Sequence, residues 1–358
     1  MIEVPALPPR PPRLRGRAVE LASLTQALGG GGVSRVALVG GGGSGKSWLA
    51  AALAHRLAPR FAGGAHWFRV GDWDYRTLLQ MLAWRWGVRA DPVLPALRQA
   101  MLERGPCLLV LDNHENDRAV ARLLELLGDL PTTWVLTARR CLLSGVSLFP
   151  IVPPLAQARR SAFPQVAALT ELLRWNPLAL DIASALVETR ATSVATLAAW
   201  LRTEGAGRVQ VMAHEDDVVE VRLLVDWAWN RLDRAERELM LVLAHAAGDD
   251  LDGASLLRLA KRRGSPEQVL KRLRKWRLIQ EPRAGRFALH AVVRYAIQPR
   301  GTVDSERYFT HYVALLERQP ARATLEQTHL FAAMDHAQKV GSLGKMLRLE
   351  ALLERRLG

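Results

Sequence analysis

The sequence predicts an α/β domain built on a parallel, doubly wound sheet, followed by an all-α stretch of chain. Three observations carry this. Short apolar runs alternate with helix-periodic segments from Val36 to about residue 155. The first of these runs leads directly into Gly40–Ser47, GGGGSGKS. Beyond Ala156 strand patterns stop, apart from a short extended piece near residue 210 and one hairpin near residue 280. Strands that alternate with helices pair in parallel, with helices covering both faces of the sheet.

Gly40, Gly45, Lys46 and Ser47 meet the template G-x-x-x-x-G-K-[ST], with an upstream strand at Val36–Val39. Trp48, Leu49, Leu53 and Leu57 follow at helical spacing. The residue types explain the chemistry. Glycine at Gly40, Gly41, Gly42 and Gly43 removes every Cβ, so backbone N–H groups can wrap a polyphosphate. The helix N-terminus adds partial positive charge at the same place. The cradle Gly40–Ser47, with Trp48 beside it, is therefore the expected ATP/ADP site. Lys46 is expected at the β- and γ-phosphates, and the Ser47 hydroxyl on Mg2+. A mere glycine linker, such as Gly29–Gly32, has no Lys-Ser pair.

At 358 residues the chain exceeds one ordinary core and implies two to four domains. No run approaches the roughly 18 apolar residues of a membrane span, and the N-terminus has no apolar signal core, which predicts a cytoplasmic protein with no membrane partner. Cys107 and Cys141 make neither a disulfide scaffold nor a zinc site on spacing, and read as buried apolar side chains. The net charge of +14 is unevenly spread, because Arg258–Arg286 holds eleven Lys or Arg against two Glu. Such a basic segment points to nucleic acid or to a solvated face.

Residues 1–13 are a proline-rich lead-in, and Glu20, Leu21, Leu24 and Leu28 begin a helix. Ala65–Val70 is a second strand, followed by helices over Tyr75–Trp86 and Leu94–Arg104. Cys107–Leu111 is wholly apolar, as a strand buried on both faces must be, and it ends in Asp112. An acid at that end faces the ligand edge of the sheet, so Asp112 is the expected Walker B carboxylate, holding Mg2+ opposite Ser47. Asn113 stands where many such ATPases carry a second acid, which argues for slow turnover; His114 and Glu115 are candidates to orient water, or serve as caps or surface. A helix over Ala119–Leu127 leads to a strand at Thr132–Thr137, then Arg139 and Arg140. An Arg there can report a γ-phosphate, and Arg139 is the preferred sensor. Leu148–Val152 is the fifth strand.

A small helical bundle is expected over 156–205, with Pro177 at a helix start, and then a linker over 205–217. The next domain, 218–300, opens with DWAWNRLD. Helices over 233–245, 252–263 and 265–276 with a hairpin of Leu278–Glu281 and Phe287–Leu289 make a winged helix-turn-helix. In its third helix Leu270, Leu273 and Trp276 form the buried stripe, leaving Lys271, Arg272, Arg274 and Lys275 outward as candidate nucleic-acid contacts. Amphipathic helices over 303–358 read as the start of a helical repeat array.

With these pieces together, residues 14–349 resemble the STAND class of P-loop NTPases, in its AP-ATPase or NB-ARC group. The resemblance rests on Arg15-Gly16-Arg17, Gly40–Ser47, LLVLDN at 108–113, Thr137-Ala138-Arg139, NPLAL at 176–180 and Leu289-His290. It implies an NTPase domain at 14–155, with Arg17 bordering the adenine and ribose, Pro177 packing near the adenine and His290 on the ADP β-phosphate. It also implies an ATP/ADP switch that assembles into a homo-oligomer for signalling, in bacterial defence (antiviral defence included), transcriptional control or cell death. The family usually carries an effector domain before the NTPase and a long sensor after the winged helix, so the expectation is either a separate effector or sensor protein or that this chain is a fragment. Ala291 replaces the usual Asp of the last motif, which predicts an easier escape from the ADP-held state. The other reading is a nucleic-acid-binding ATPase that regulates replication, transposition or transcription through its basic winged helix.

Overall fold

Five strands, β1 (Arg35–Val39), β2 (Ala65–Arg69), β3 (Cys107–Asp112), β4 (Thr132–Ala138) and β5 (Ser147–Pro150), form one parallel sheet in the order β2-β3-β4-β1-β5. This computed structural model describes residues 7–11, 17–29, 34–151, 164–212, 219–246, 250–262 and 266–322, with single positions and short pieces between 325 and 351. Its chain divides into two units, Pro5–Ala167 with Trp175–Leu178, and Ala168–Arg174 with Ala179–Gly358.

In the first unit every residue of β3 is buried, which accounts for its unbroken apolar run. Register then fixes the ligand edge. Val39 pairs with Ala138 and Leu111 with Leu136, so the chain leaves β1, β3 and β4 at neighbouring points as Gly40, Asn113 and Arg139. Helices α1 (Ala18–Gly29), α2 (Lys46–Leu57), α3 (Tyr75–Arg85), α4 (Val93–Arg104) and α5 (Asp117–Leu127) complete the layers. Leu49, Leu53 and Leu57 of α2 pack with Leu24 and Leu28 of α1 and Leu38 of β1 in one core. Trp48, about 100° round the helix from Leu49, lies on the other face and is 45 % exposed. The edge strand β5 is shorter than the Leu148–Val152 expected; residues 152–155 lie outside the described residues.

In the second unit α6 (Pro177–Glu188, whose first two residues belong to the first unit) and α7 (Val194–Met212) follow a 3-10 segment at Pro164–Leu169. The linker expected over 205–217 is corrected for its first part. The helix continues to Met212, and residues 213–217 lie outside the described residues. Gly205 and Gly207 each cost a helix only about 1 kcal/mol, and no proline is present to stop it.

Helix α8 (Val219–Trp229) begins before DWAWNRLD and contains its first four residues. Helix α9 (Arg234–His245) opens with a capping box, in which the Asp233 side chain accepts from the Glu236 N–H and Glu236 reaches back to the Asp233 N–H. Helices α10 (Gly253–Leu259) and α11 (Pro266–Lys275) follow. The expected hairpin is present as β7 (Gln280–Arg283) and β8 (Arg286–Ala288), and β6 (Leu251–Asp252) adds a third antiparallel strand in the order β6-β8-β7. Two residues are too few to show a period, so β6 has no sequence signature.

After α12 (Ala291–Ile297), α13 (Ser305–Arg318) buries Tyr312, Val313 and Leu316, and Leu330 and Ala333 are buried beyond it. Of the expected array, His336, Leu343, Met346, Leu347 and Leu353 lie outside the described residues. Arg286 on β8 holds this region to the sheet. It donates to Asp250 at 2.5 Å and bidentately to the fully buried Glu326 at 2.7 and 2.9 Å. Among the described residues no helix is long and apolar enough to cross a membrane.

Candidate nucleotide-binding site

Where β1 ends, the Gly40 N–H donates to Ala138 O at 3.3 Å, fixing the start of the loop against β4. The loop then turns through Gly43 (φ 74°) and Gly45 (φ 92°), a left-handed backbone that side chains rarely adopt. Gly45 precedes the first turn of α2, and the Leu49 N–H donates to its carbonyl at 3.0 Å. Ser47 and Lys46 therefore sit at the positive end of a helix, half-buried. Lys46 Nζ donates to Gly40 O at 2.7 Å and Gly41 O at 2.8 Å, folding its charge over the loop.

Two side chains from far along the sequence brace the cradle. Arg17, only 5 % exposed, donates through Nη2 to Ser44 O at 3.0 Å while Nη1 pairs with Glu20 at 2.7 Å. Asn176 donates through Nδ2 to Gly42 O at 2.9 Å, and its Oδ1 accepts from the Leu178 N–H at 3.0 Å at the start of α6. A Cβ on Gly43 would stand 2.8 Å from that Oδ1. The loop is thus closed around Asn176, with Pro177 at the first position of α6.

On the neighbouring strands Asp112 is buried, and one of its oxygens accepts from the Thr137 hydroxyl at 2.6 Å. That hydroxyl in turn accepts from the Asn113 N–H at 2.8 Å. Asp112 is a strand end and not a helix cap, because Asn116 caps α5. Asn113 is left-handed at φ 57° and donates to Glu115 at 3.0 Å. Arg139 and Arg140 leave β4 exposed. His114 is buried, which lowers its pKa against the partial opposition of the Asp117 and Glu115 carboxylates.

The residues present fit a nucleoside polyphosphate with Mg2+. The buried Ser44 hydroxyl has no hydrogen-bond partner, so the cradle carries an unused donor. Lys46 donates to the Gly40 and Gly41 carbonyls, which a phosphate oxygen can outbid electrostatically. Ser47 and Asp112 are oxygen donors of the kind Mg2+ requires.

The other expected contacts belong to the second unit. His290 caps α12, its Nδ1 accepting from the Val292 N–H at 3.3 Å. On α11, Leu270, Leu273 and Trp276 are buried as expected, and Lys271, Arg274 and Lys275 are exposed. Arg272 is partly exposed and bonds Glu236 at 2.6 Å, and Arg274 pairs with Glu281 at 2.6 Å. Arg262, Arg277 and Arg286 are also ion-paired, with Glu238, Asp181 and Asp250 among their partners, so at least five cations of the basic segment are matched among the described residues.

Sequence reasoning placed Asn176 and Thr137 inside motifs but assigned neither of them a contact of its own. The Asn-Pro step hints at a helix cap, but nothing local marks a contact with a loop 134 positions away. Thr137 opens the motif that ends in Arg139, but only the register of β3 on β4 brings its hydroxyl to Asp112.

No protein-family model matches the sequence, and no curated protein matches it. Among solved structures the chain is similar to a Signal Transduction ATPase with Numerous Domains (STAND) protein with a tetratricopeptide repeat sensor from Pyrococcus horikoshii, at 18 % identity and a TM-score of 0.61. The match covers 98 % of this chain and 52 % of that one, so this chain spans about half the length of that relative. A Walker-type ATPase of Pyrococcus abyssi matches over 82 % of this chain and 98 % of its own, at 15 % identity and a TM-score of 0.40. The Orc1 protein of Aeropyrum pernix, solved in complex with DNA, matches over 81 % and 94 % at 17 % identity and 0.39.

Proposed function

On the fold of a STAND-class P-loop NTPase, which this chain has, we propose that the protein is an ATP/ADP-dependent switch that converts nucleotide exchange into rearrangement and self-assembly for signalling. The observation that carries the reading is the bond from Asn176 to Gly42 O. It ties the phosphate loop to the residue that opens α6, so a change in the loop is passed to the chain that continues into the second unit.

Each residue then has a task. The loop amides and Lys46 bind the polyphosphate, with the Ser44 hydroxyl as a further donor. Ser47 and Asp112 hold Mg2+, and Thr137 keeps the Asp112 carboxylate turned to one side. Arg17 braces the loop beside the base and ribose, Pro177 packs near the adenine, and Trp48 flanks the site. Arg139 senses the γ-phosphate. His290 contacts the ADP β-phosphate, a latch that Ala291 weakens. Bound ATP supplies the one feature ADP lacks, a γ-phosphate whose charge Mg2+ shares.

Turnover is slow in this reading, because Asn113 supplies no carboxylate to orient water. Turning a population from 1:99 to 99:1 takes about 5.5 kcal/mol of differential affinity, so the two nucleotides must be distinguished by several contacts acting together. A separate effector or sensor protein completes the pathway, with bacterial defence as one setting. The second reading, contact with nucleic acid, rests on the exposed Lys271, Arg274 and Lys275.

Sedimentation with ADP, ATP and a non-hydrolysable analogue tests the switch. A larger species with ATP or the analogue, absent in Lys46→Ala, is expected. One unchanged mass in all nucleotides, with binding demonstrated, contradicts it. Duplex binding at two salt concentrations tests the second reading. A steep salt dependence that Lys271→Glu with Lys275→Glu abolishes would favour it.

A further inference from the structure

Beside Asp112, at the same edge of the sheet, three side chains of different chemistry converge. His114 follows β3 by two residues, Asp117 opens α5, and Cys141 lies three residues past β4. A nitrogen, an oxygen and a sulfur from these residues all lie within 4.8 Å of one another, with His114 Nε2 3.6 Å from Asp117 Oδ1.

Two of its members carry unsatisfied atoms, while the Cys141 thiol is held by the Leu143 backbone. Neither ring nitrogen of His114 has a hydrogen-bond partner, although the side chain is only 1 % exposed, and Asp117 Oδ1 has none either. Buried polar atoms of this kind cost about 1–3 kcal/mol each when they go unpaired. The other oxygen of Asp117 is not idle. It accepts from the Leu142 N–H at 2.8 Å, which fixes the carboxylate and turns Oδ1 toward the imidazole. Cys141 is a buried free thiol, and Asp117 is 32 % exposed, which leaves a way in from solvent.

We infer that His114, Asp117 and Cys141 bind a divalent transition-metal ion of the zinc type, separate from the Mg2+ of the nucleotide site. Imidazole, carboxylate and thiolate are a borderline-soft donor set that favours zinc or cobalt over magnesium. Ligands about 2.0–2.3 Å from a tetrahedral ion stand roughly 3.3–3.8 Å apart, a spacing that His114 Nε2 and Asp117 Oδ1 already have, so binding needs at most about 1 Å of approach by the sulfur. The thiol gives its proton to solvent as Sγ bonds the ion, so affinity rises with pH. The two anionic ligands offset the partial positive charge at the start of α5. Water fills the fourth position.

The placement gives the ion a consequence. It would link a residue two past Asp112 to one two past Arg139, pinning the ends of β3 and β4 at a fixed spacing. Sequence spacing alone misses this, because the ligands come together only through the β3–β4 register.

The test uses the full chain without nucleotide, stripped with chelator and titrated with Co2+ in buffer containing Mg2+. A thiolate-to-cobalt charge-transfer band saturating at one ion per chain, with the visible bands of tetrahedral cobalt, is expected. Cys141→Ser should remove the band, His114→Gln and Asp117→Asn should weaken binding at least tenfold, and Cys107→Ser should leave it intact. Zn2+ should displace cobalt and raise the unfolding midpoint of the parent but not of Cys141→Ser. No charge-transfer band in the parent chain, or a band that survives in Cys141→Ser, overturns the proposal. Since no nucleotide is present, the result is independent of the switch.

Discussion

Gly43 shows most plainly what one position in this site must satisfy. Its φ of 74° disfavours a side chain, and the added Cβ would also meet Asn176 Oδ1 at 2.8 Å. Gly43→Ala should therefore destabilise the chain by about 1 kcal/mol or more and weaken nucleotide binding at least tenfold, as titration with a fluorescent nucleotide would read. Gly42→Ala keeps the carbonyl that Asn176 bonds, and makes a useful comparison. At this scale the sequence is informative about the residues that touch phosphate, because the chemistry needs Gly, Lys and Ser at fixed spacing. It does not give the partners of Asn176 and Thr137, which act through side-chain bonds to positions 134 and 25 residues distant. The same limit applied to Cys141. Burial was foreseeable from residue type; the company of His114 and Asp117 was not.

At the scale of the element, α11 separates what periodicity tells from what it cannot. Its apolar stripe was legible, and Leu270 and Leu273 are fully buried. That its cations would be outward was an inference from the same wheel, and Arg272, though partly exposed, is tied to Glu236, 4 % exposed and part of the α9 capping box, which needs a counter-charge. Arg272→Ala should cost about 1–2 kcal/mol in denaturant unfolding, since it strands a carboxylate, whereas Lys271→Ala and Lys275→Ala should stay within about 0.5 kcal/mol. Equal effects from all three would contradict this assignment. The helix α7 and the strand β6 mark the other limits. Two glycines resembled a linker although the helix runs through them, and a two-residue strand exists only because β8 pairs with it.

For the whole molecule, burial sets the pH response. His66 is 7 % exposed, and burial depresses its pKa, with the Arg85 and Arg104 charges adding to the effect and a bond to Gly63 O opposing it. His329 is depressed by burial too, although Glu326 and the Asp250 carbonyl pull it upward. A folded-state pKa below the unfolded value means the unfolded chain binds more protons as pH falls. The stability is thus complete above about pH 6.5 and declines below it. The urea midpoint should drop between pH 7.5 and 5.5, and His66→Gln should flatten part of that slope; a midpoint rising on acidification would show the sign to be wrong. The order of strands and helices was readable because buried parallel strands are apolar throughout and bounded by turns. The resemblance put Pro177 near the nucleotide, but the bond that ties the loop near residue 42 to Asn176 was not readable, since it depends on tertiary closure.

The central claim is that the state of the phosphate loop is felt beyond it, through Asn176. Hydrogen exchange over residues 176–188, compared between ADP and a non-hydrolysable ATP analogue, measures this directly. The account predicts a nucleotide-dependent difference in protection along α6 that disappears in Asn176→Ala while nucleotide binding survives. Identical protection with both nucleotides, at saturating binding, would contradict it.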